Sequence, residues 1–330
     1  MKPSVVSQRL STLIGARLPV LLVGAPGVGK SDLVAQACEA SGADLIVSHP
    51  VVSDPTDYKG LPGIVDGKAE FLPFGDLRAL VQADRPTVCL LDDLGQAPAV
   101  VQAAAMQLLL ARRVNGHRVA DCVTFVAASN RRQDRAGVTG ILEPVKSRFA
   151  AIVEVSADLD DWTRWALSNG VAPEVVSFVR FRPAMLHDFR PTADLVNSPC
   201  PRTWASAGRL VSLGITDLET LSGAIGEGAA TELVAFLSIW RRLPSIDGIL
   251  LNPDTAPVPS ADDAGTLYAV TGALAHKASL QTAGRVIRYA GRLPAEFSVL
   301  CVRDAHRRCP DIAQTPEFIR WAADHSDVLL

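Results

Sequence analysis

The sequence predicts an α/β fold in which a parallel five-stranded sheet is followed by a helical second half. Short, wholly apolar runs alternate with helix-length segments in the first half, which is typical of strands buried on both faces. From residue 156 onward this strand signal is lost and only helical spacing remains. We therefore expect an α/β nucleotide-binding domain at residues 1–155 and a mostly helical region at residues 156–330.

Five apolar runs carry the strand prediction, and the segments between them suit the crossover connections of a parallel sheet. The predicted strands are residues 19–23, 44–48, 87–91, 123–128 and 151–155. One helix is expected from about Lys30 to Ala40 and another from about Pro98 to Arg112. Residues 64–72 predict a hairpin, because Asp66-Gly67 is a favoured two-residue turn.

The second half contains segments with helical spacing, separated by breaks rich in Pro and Asp. These segments are residues 162–168, 175–181, 203–213, 232–242, 267–280 and 318–323. The clearest long loop is residues 252–260, which contain three prolines. No motif assigns a role to the last hundred residues.

Composition argues against several classes of protein. The 330 residues carry 32 basic and 35 acidic side chains, a net charge of −3, which does not suit a strongly basic nucleic-acid binder. No apolar stretch approaches the roughly 20 residues that span a bilayer, and no secretory leader is evident. Six cysteines without a C-x-x-C pair form neither a disulfide framework nor a zinc ribbon. We expect a cytoplasmic protein that does not insert into membranes.

A phosphate-binding motif, G-x-x-x-x-G-K-[ST], lies between a predicted strand and a predicted helix. Its glycines let successive backbone N–H groups curl around phosphate oxygens at a helix N-terminus. Lys30 is expected to reach the β- and γ-phosphates of a nucleotide, and the Ser31 hydroxyl to bind Mg²⁺. The predicted nucleotide loop comprises Gly24, Ala25, Pro26, Gly27, Val28, Gly29, Lys30 and Ser31.

Two carboxylates, Asp92 and Asp93, directly follow the predicted strand at residues 87–91. Unpaired buried charge is costly, so a buried strand that finishes in two anions indicates a cation or solvent at that end. Beside a phosphate loop, Asp92 would hold Mg²⁺ through its water shell, and Asp93 would orient or deprotonate the attacking water. The alternative is two solvated loop aspartates.

Two further polar residues lie where ligands of parallel sheets bind. Asn130 follows the strand at 123–128, so it could contact the γ-phosphate or its attacking water; the alternative is an Asn that begins the next turn. Arg148 precedes the last strand and could neutralise transition-state charge, on its own nucleotide or on that of a neighbouring subunit. Alternatively, it meets only a helix dipole and solvent.

In chain order, these motifs resemble those of the AAA+ ATPases, which have a P-loop three-layer αβα core and an α-helical lid. Residues 142–149, Leu-Glu-Pro-Val-Lys-Ser-Arg-Phe, look like the MoxR-like and dynein-related branch. Residues 201–204, Pro-Arg-Thr-Trp, resemble its sensor-2 motif, and the hairpin at 64–72 resembles an insertion of the wider clade. The resemblance covers roughly residues 5–215.

The resemblance implies ATP and Mg²⁺ as ligands and assigns roles to individual residues. Asp92 and Asn130 would join the loop in one nucleotide site, which Arg202 would reach from the lid; the alternative for Arg202 is an ordinary helix residue. Arg148 would act on the neighbouring subunit, which implies a ring, and we expect it to have six subunits. The family usually has Glu where Asp93 stands, so hydrolysis is expected to be slow, and Asp93→Glu should raise turnover if side-chain length limits it.

By the same resemblance, the function is that of a chaperone-like ring ATPase that remodels or activates a partner protein, with a von Willebrand factor A domain as the implied partner type. One alternative is a nucleotide-gated assembly module with weak hydrolysis, and another is a DNA-acting motor or loader. Tyr58-Lys59-Gly60 resembles an aromatic pore loop, but we favour a turn packed beside Pro55 and Pro62. Arg131, Arg132 and Arg135 could also line a subunit interface.

Overall fold

The computed structural model describes residues 1–134, 137–192 and 194–325, which form two compact units. The first unit comprises residues 1–158 and 189–191. The second comprises the described residues of 159–188 and from 192 onward. Each unit has its own hydrophobic core.

The first unit is built on a parallel sheet, which confirms the predicted α/β fold. The described strands are β1 (Val20–Val23), β2 (Asp44–Ser48), β3 (Leu61–Val65), β4 (Lys68–Leu72), β5 (Thr87–Leu91), β6 (Arg113–Val114), β7 (His117–Arg118), β8 (Val123–Ser129) and β9 (Ala151–Glu154). Five of them form one sheet in the order β2-β5-β8-β1-β9, and every neighbouring pair is parallel. The loops after β1, β5 and β8 therefore meet at the carboxyl edge of the sheet, with β1 and β5 flanking β8.

Helices cover both faces of this sheet. The helices of the first unit are α1 (Pro3–Gly15), α2 (Lys30–Ser41), α3 (Pro55–Lys59), α4 (Gly75–Gln82), α5 (Ala99–Ala111) and α6 (Glu143–Lys146). The two predicted helices correspond to α2 and α5. Helix α1 was not predicted, although Val6, Leu10 and Ile14 recur every four residues and are buried.

Alternation along the strands divides the core of the first unit into two layers. Leu21 and Phe125 pack on the side that includes residues of α4 and α5. Their chain neighbours Leu22 and Val126 pack on the other side, with residues of α1 and α2. The result is the predicted three-layer αβα arrangement.

Two hairpins project from the connections of this unit. The first, β3–β4, turns at Asp66 (φ 48°) and Gly67 (φ 77°), as the sequence predicts. The second, β6–β7, turns at Asn115 (φ 47°) and Gly116 (φ 88°) and was not predicted, although Asn-Gly is the usual signal for such a turn. The Asn115 Nδ2 donates a hydrogen bond to the Lys59 carbonyl at 2.9 Å, which ties the second hairpin to the base of the first.

All regular elements of the second unit, in the part that the structure describes, are helices. The α-helices are α7 (Leu159–Ser168), α8 (Pro173–Phe181), α9 (Pro201–Ser212), α10 (Leu218–Ile225), α11 (Glu227–Arg241), α12 (Ile246–Leu251), α13 (Ala264–His276), α14 (Ala283–Ala290), α15 (Ala295–Arg308) and α16 (Pro316–Asp324). Each of the six predicted helical segments overlaps one of them, but α10, α12, α14 and α15 were not predicted. Among the described residues, no helix is both long enough and apolar enough to cross a membrane.

Candidate functional site

The phosphate-binding loop joins β1 to α2 and has the backbone conformation that its glycines allow. Gly27 (φ 75°) and Gly29 (φ 93°) are both left-handed, which side chains other than glycine adopt at a cost. A Cβ added at Gly24 would lie 2.6 Å from the Val155 carbonyl oxygen, so this position admits only glycine without movement of the backbone. The loop is therefore shaped by its glycines and closed by the chain after β9.

Lys30, the first residue of α2, is 7% exposed and lies over the loop. Its ammonium donates to the carbonyl oxygens of Gly24 at 3.0 Å and Ala25 at 3.1 Å. It also donates to Asn130 Oδ1 at 2.8 Å. The structure thus brings together the loop lysine and the polar residue after β8, as the sheet order requires.

Ser31 and Asp92, the two residues expected to hold Mg²⁺, are in direct contact. The Ser31 Oγ donates to Asp92 Oδ2 at 2.8 Å. The Asp92 backbone N–H donates to the Ser48 carbonyl at 2.9 Å, which fixes Asp92 beside the end of β2. The supporting role of Ser48 was not foreseen, because the sequence does not show that β2 pairs with β5.

Asp93 and Asn130 complete the arrangement. The Asn130 Nδ2 donates to Asp93 Oδ1 at 3.1 Å, so the Asn130 amide bridges Lys30 and Asp93. Asp93 has φ 54°, a left-handed conformation that Asp tolerates far better than most other residues. This backbone conformation therefore suits Asp at position 93, where the resemblance to the AAA+ family led us to expect Glu.

These residues fit a magnesium nucleotide. The loop N–H groups and Lys30 would hold the phosphates, and Ser31 and Asp92 would hold the ion, which when bound would draw negative charge from the phosphates. No group of three or more His, Cys, Asp or Glu in the described chain could hold a metal. A site with one hydroxyl and one carboxylate is what Mg²⁺ needs when substrate and water supply its other ligands.

Arg148 lies just after α6 and is held by its own segment. Its Nη1 donates to the Pro144 carbonyl and, at 3.3 Å, to Ser147 Oγ. Its Nε is buried and has no hydrogen-bond partner among the described residues. None of its described hydrogen bonds reaches Lys30 or Asp93, so the structure does not bring Arg148 into the network.

Arg202 belongs to the second unit, where it occupies the first turn of α9 and is exposed. The helix around it is firmly fixed. Trp204 is fully buried and donates from Nε1 to the Met185 carbonyl at 2.7 Å. The assignment of Arg202 to the γ-phosphate stays a prediction.

The arginines after Asn130 differ in their contacts and in their exposure. Arg131 forms two hydrogen bonds with Asp134, at 2.9 and 3.0 Å, and one with Glu154 at 3.2 Å. The Asp134 carboxylate, with Glu154, raises the pKa of Arg131. This guanidinium is engaged within its own chain, whereas Arg132 is exposed. Arg135 lies outside the described residues.

Tyr58 is buried within α3 and does not form an exposed pore loop. It is 4% exposed, and its hydroxyl is 2.9 Å from Ser48 Oγ. Burial raises the pKa of this phenol. The packed-turn interpretation is therefore the correct one, and Tyr58 supports the residue that positions Asp92.

Comparison with known proteins relates the first unit to a family. Residues 19–149 match the family model described as the AAA domain of the dynein-related subfamily. The matched segment contains Lys30, Ser31, Asp92, Asp93 and Asn130, and the match confirms the resemblance that the motifs indicated. No curated protein sequence matches the chain significantly.

Solved structures give weaker likenesses. One is the RuvB Holliday junction branch migration motor of Thermotoga maritima, with 17% identity, 82% of this chain and 81% of that chain covered, and a TM-score of 0.42. Another is NtrX from Brucella abortus in complex with ADP, with 14% identity, coverage of 98% of this chain and 67% of that chain, and a TM-score of 0.40. These TM-scores are too low to support a functional conclusion.

Proposed function

Because residues 19–149 match the family model described as the AAA domain of the dynein-related subfamily, we propose that this protein is a ring-forming ATPase that remodels or activates a partner protein. Its reaction is the hydrolysis of ATP to ADP and phosphate, with Mg²⁺ as the metal. The observation that carries the proposal is the contact network at the carboxyl edge of the sheet, in which Asn130 links Lys30 to Asp93 and Ser31 contacts Asp92.

Each member of the network has a distinct task in hydrolysis. Lys30 neutralises charge on the transferred phosphate, and Asp92 with Ser31 holds the metal. Asp93 orients the attacking water and accepts its proton. Asn130 holds Asp93 in place through Nδ2, so its amide sets the distance between the carboxylate and the phosphate.

The proposal places Arg148 in the site of a neighbouring subunit. Its described hydrogen bonds remain within its own segment, and its buried Nε is left without a partner there. A guanidinium that forms no described hydrogen bond with the nucleotide-loop residues of its own chain suits a role across a subunit interface, where it would stabilise transition-state charge. Such a role requires a closed ring, for which six subunits is our expectation.

A protein is a better substrate for this ring than a nucleic acid. The chain carries a net charge of −3 and lacks a run of basic residues, whereas binding to DNA is dominated by contacts with phosphates. Family resemblance supplies the more specific suggestion of a partner with a von Willebrand factor A domain. Arg202 completes the site from the helical unit in this proposal.

The short side chain of Asp93 favours a second candidate function, a nucleotide-gated assembly module with weak hydrolysis. By the family resemblance, Glu is usual at this position, and an Asp carboxylate is one methylene shorter. The two candidates differ in turnover rather than in nucleotide binding, so measured hydrolysis distinguishes them.

A mixing experiment tests the shared site. Lys30→Ala subunits cannot bind ATP but keep Arg148, and Arg148→Ala subunits bind ATP but lack the arginine. We expect each variant alone to be inactive and an equimolar mixture to recover a substantial part of wild-type hydrolysis. If the mixture stays inactive while co-purification of an untagged variant with a tagged one shows that mixed rings form, Arg148 does not act across the interface.

Light scattering tests the assembly itself. We expect a shift to about six subunits with a non-hydrolysable ATP analogue and Mg²⁺, relative to the protein without nucleotide. A monomer under every nucleotide condition would contradict the ring.

A further inference from the structure

The second unit contains a cluster of four arginines that the nucleotide site does not use. Arg164 lies on α7, Arg180 on α8, and Arg303 and Arg307 lie one turn apart on α15. Two carboxylates accompany them, Asp161 and Asp304. We call these six side chains the arginine cluster.

Asp304 is the centre of the cluster. It is 2% exposed and accepts a bidentate pair of hydrogen bonds from Arg180, one of them at 2.9 Å. The Arg307 Nη1 lies 3.4 Å from the same carboxylate. One buried anion therefore serves two guanidinium groups, while Asp161 pairs with Arg164 at 3.3 Å.

Arg303 does not take part in these ion pairs. Its Nε is buried without a hydrogen-bond partner, and it forms no ion pair with an acidic side chain of the described residues. Residues four apart on a helix are neighbours, so the positive charges of Arg303 and Arg307 repel one another. Burial, together with the charges of Arg303, Arg180 and Arg164, lowers the pKa of Arg307 despite the carboxylate of Asp304.

The charges in the cluster do not balance. Four guanidinium groups accompany two carboxylates, so the six side chains carry a net charge of +2. The C-terminal end of α15 offers only about half a negative charge through its dipole, and Arg308 shares that end. Arginine remains protonated in proteins, so the cluster cannot relieve this excess by losing a proton.

We infer that the arginine cluster is a binding site for a pair of carboxylates on an acidic segment of a partner protein. Arg307 is 22% exposed and Arg164 is 53% exposed at the side chain, so guanidinium edges remain open to such a ligand. Planar guanidinium groups donate bidentate hydrogen bonds to carboxylates, and an incoming anion would also reduce the repulsion between Arg303 and Arg307 on α15.

An acidic protein segment fits this cluster better than a nucleic acid does. Nucleic-acid backbones are held by many phosphate contacts spread along a groove, whereas the excess here is two charges at one locus of an acidic chain. The view that this partner is the protein on which the ATPase acts depends on the proposed function. The anion binding itself does not.

A fluorescent hexaglutamate peptide tests the site by anisotropy on the full chain. We expect it to bind wild type and to bind Arg303→Gln about tenfold more weakly. Arg308→Gln is the matched control, because it removes the same charge from an exposed position on the same helix. The comparison is repeated in the Lys30→Ala background, which removes the phosphate loop from consideration and separates this result from a failure of the proposed function.

Three outcomes would overturn the inference. They are no peptide binding to wild type, equal weakening in Arg303→Gln and Arg308→Gln, and tighter binding of an oligothymidylate that Arg303→Gln abolishes. The last would identify a nucleic-acid phosphate site instead.

Thermal unfolding gives a second readout that does not depend on the peptide's affinity. Without ligand, Arg303→Gln should have a higher melting temperature than wild type, because it relieves repulsion with Arg307. Saturating hexaglutamate should raise the melting temperature of wild type and of Arg308→Gln but not that of Arg303→Gln. An unchanged or lower melting temperature for Arg303→Gln without ligand would show that Arg303 is a structural residue and would contradict the inference.

Discussion

The two units gather charged side chains in different ways. In the first unit, Ser31, Asp92 and Asn130 follow three different strands and meet because the carboxyl ends of parallel strands share one edge. In the second unit, Arg180 and Asp304 form a buried ion pair between two helices, and no sheet edge brings them together. A site at the edge of a parallel sheet can therefore be predicted from the sequence, whereas a charged cluster formed by the packing of helices cannot.

Lys30→Ala should have the largest effect, because it removes the cation at the centre of the first unit's site. We expect the loss of at least about 3 kcal/mol of nucleotide-binding free energy, since a charge-assisted contact in a desolvated site is lost. Equilibrium titration with a fluorescent ATP analogue measures it. Lys68→Ala, at the exposed start of β4, is the control and should bind normally; normal binding by Lys30→Ala would refute the assignment of the loop.

Asp304→Ala tests the second unit in the same way. Removal of one partner of a buried ion pair leaves uncompensated charge, so we expect the free energy of unfolding to fall by about 3–5 kcal/mol. Urea denaturation measures it, with Asp311→Ala as the exposed control. The double variant Arg180→Met with Asp304→Leu should recover much of this loss, and a loss below about 1 kcal/mol in the single variant would contradict the picture of a buried charge centre.

Asp93→Glu tests whether the backbone conformation or the side-chain length at position 93 determines the rate of hydrolysis. Length alone suggests that a longer carboxylate would speed hydrolysis, but the left-handed backbone and the 3.1 Å contact with Asn130 favour Asp. We expect kcat to fall about tenfold, because a displaced base loses part of its catalytic contribution. Steady-state phosphate release measures it, with nucleotide affinity as the control that should not change. A rise in kcat would show that side-chain length limits the base.

Tyr58→Phe should have the smallest effect. It deletes only the hydroxyl that contacts Ser48, so the free energy of unfolding should fall by about 1 kcal/mol. Thermal and urea unfolding measure this change. If the variant unfolds like wild type but loses partner-stimulated hydrolysis, Tyr58 grips a substrate and the packed interpretation is wrong.

The first unit was largely predictable because its signals are local and periodic. The apolar runs predicted the five strands, and the phosphate motif and the paired carboxylates predicted residues that meet at the carboxyl edge of the sheet. The second hairpin was missed only because Asn115-Gly116 separates strands of two residues each, too short to give a strand pattern. The conformation of Asp93 could not be predicted, since it depends on the turn that leaves β5.

The arginine cluster of the second unit could not be predicted from the sequence, for a physical reason. Helix α15 carries Arg303, Asp304 and Arg307 within one turn, which in the sequence looks like a solvated face. The packing of α7, α13 and α14 against α15, together with the ion pair from Arg180 of α8, places Asp304 in the interior. Burial of charge depends on partners more than a hundred residues away, and the sequence alone does not reveal them.

The proposed function requires that the network at the sheet edge hydrolyse ATP. The deciding measurement is phosphate release by wild type, Lys30→Ala and Asn130→Ala with Mg²⁺ and with excess EDTA. We predict magnesium-dependent release by wild type, none by Lys30→Ala, and at least about a hundredfold slower release by Asn130→Ala with nucleotide binding retained. Release that persists in Lys30→Ala or in EDTA, or its absence from fully assembled wild-type rings, would contradict it.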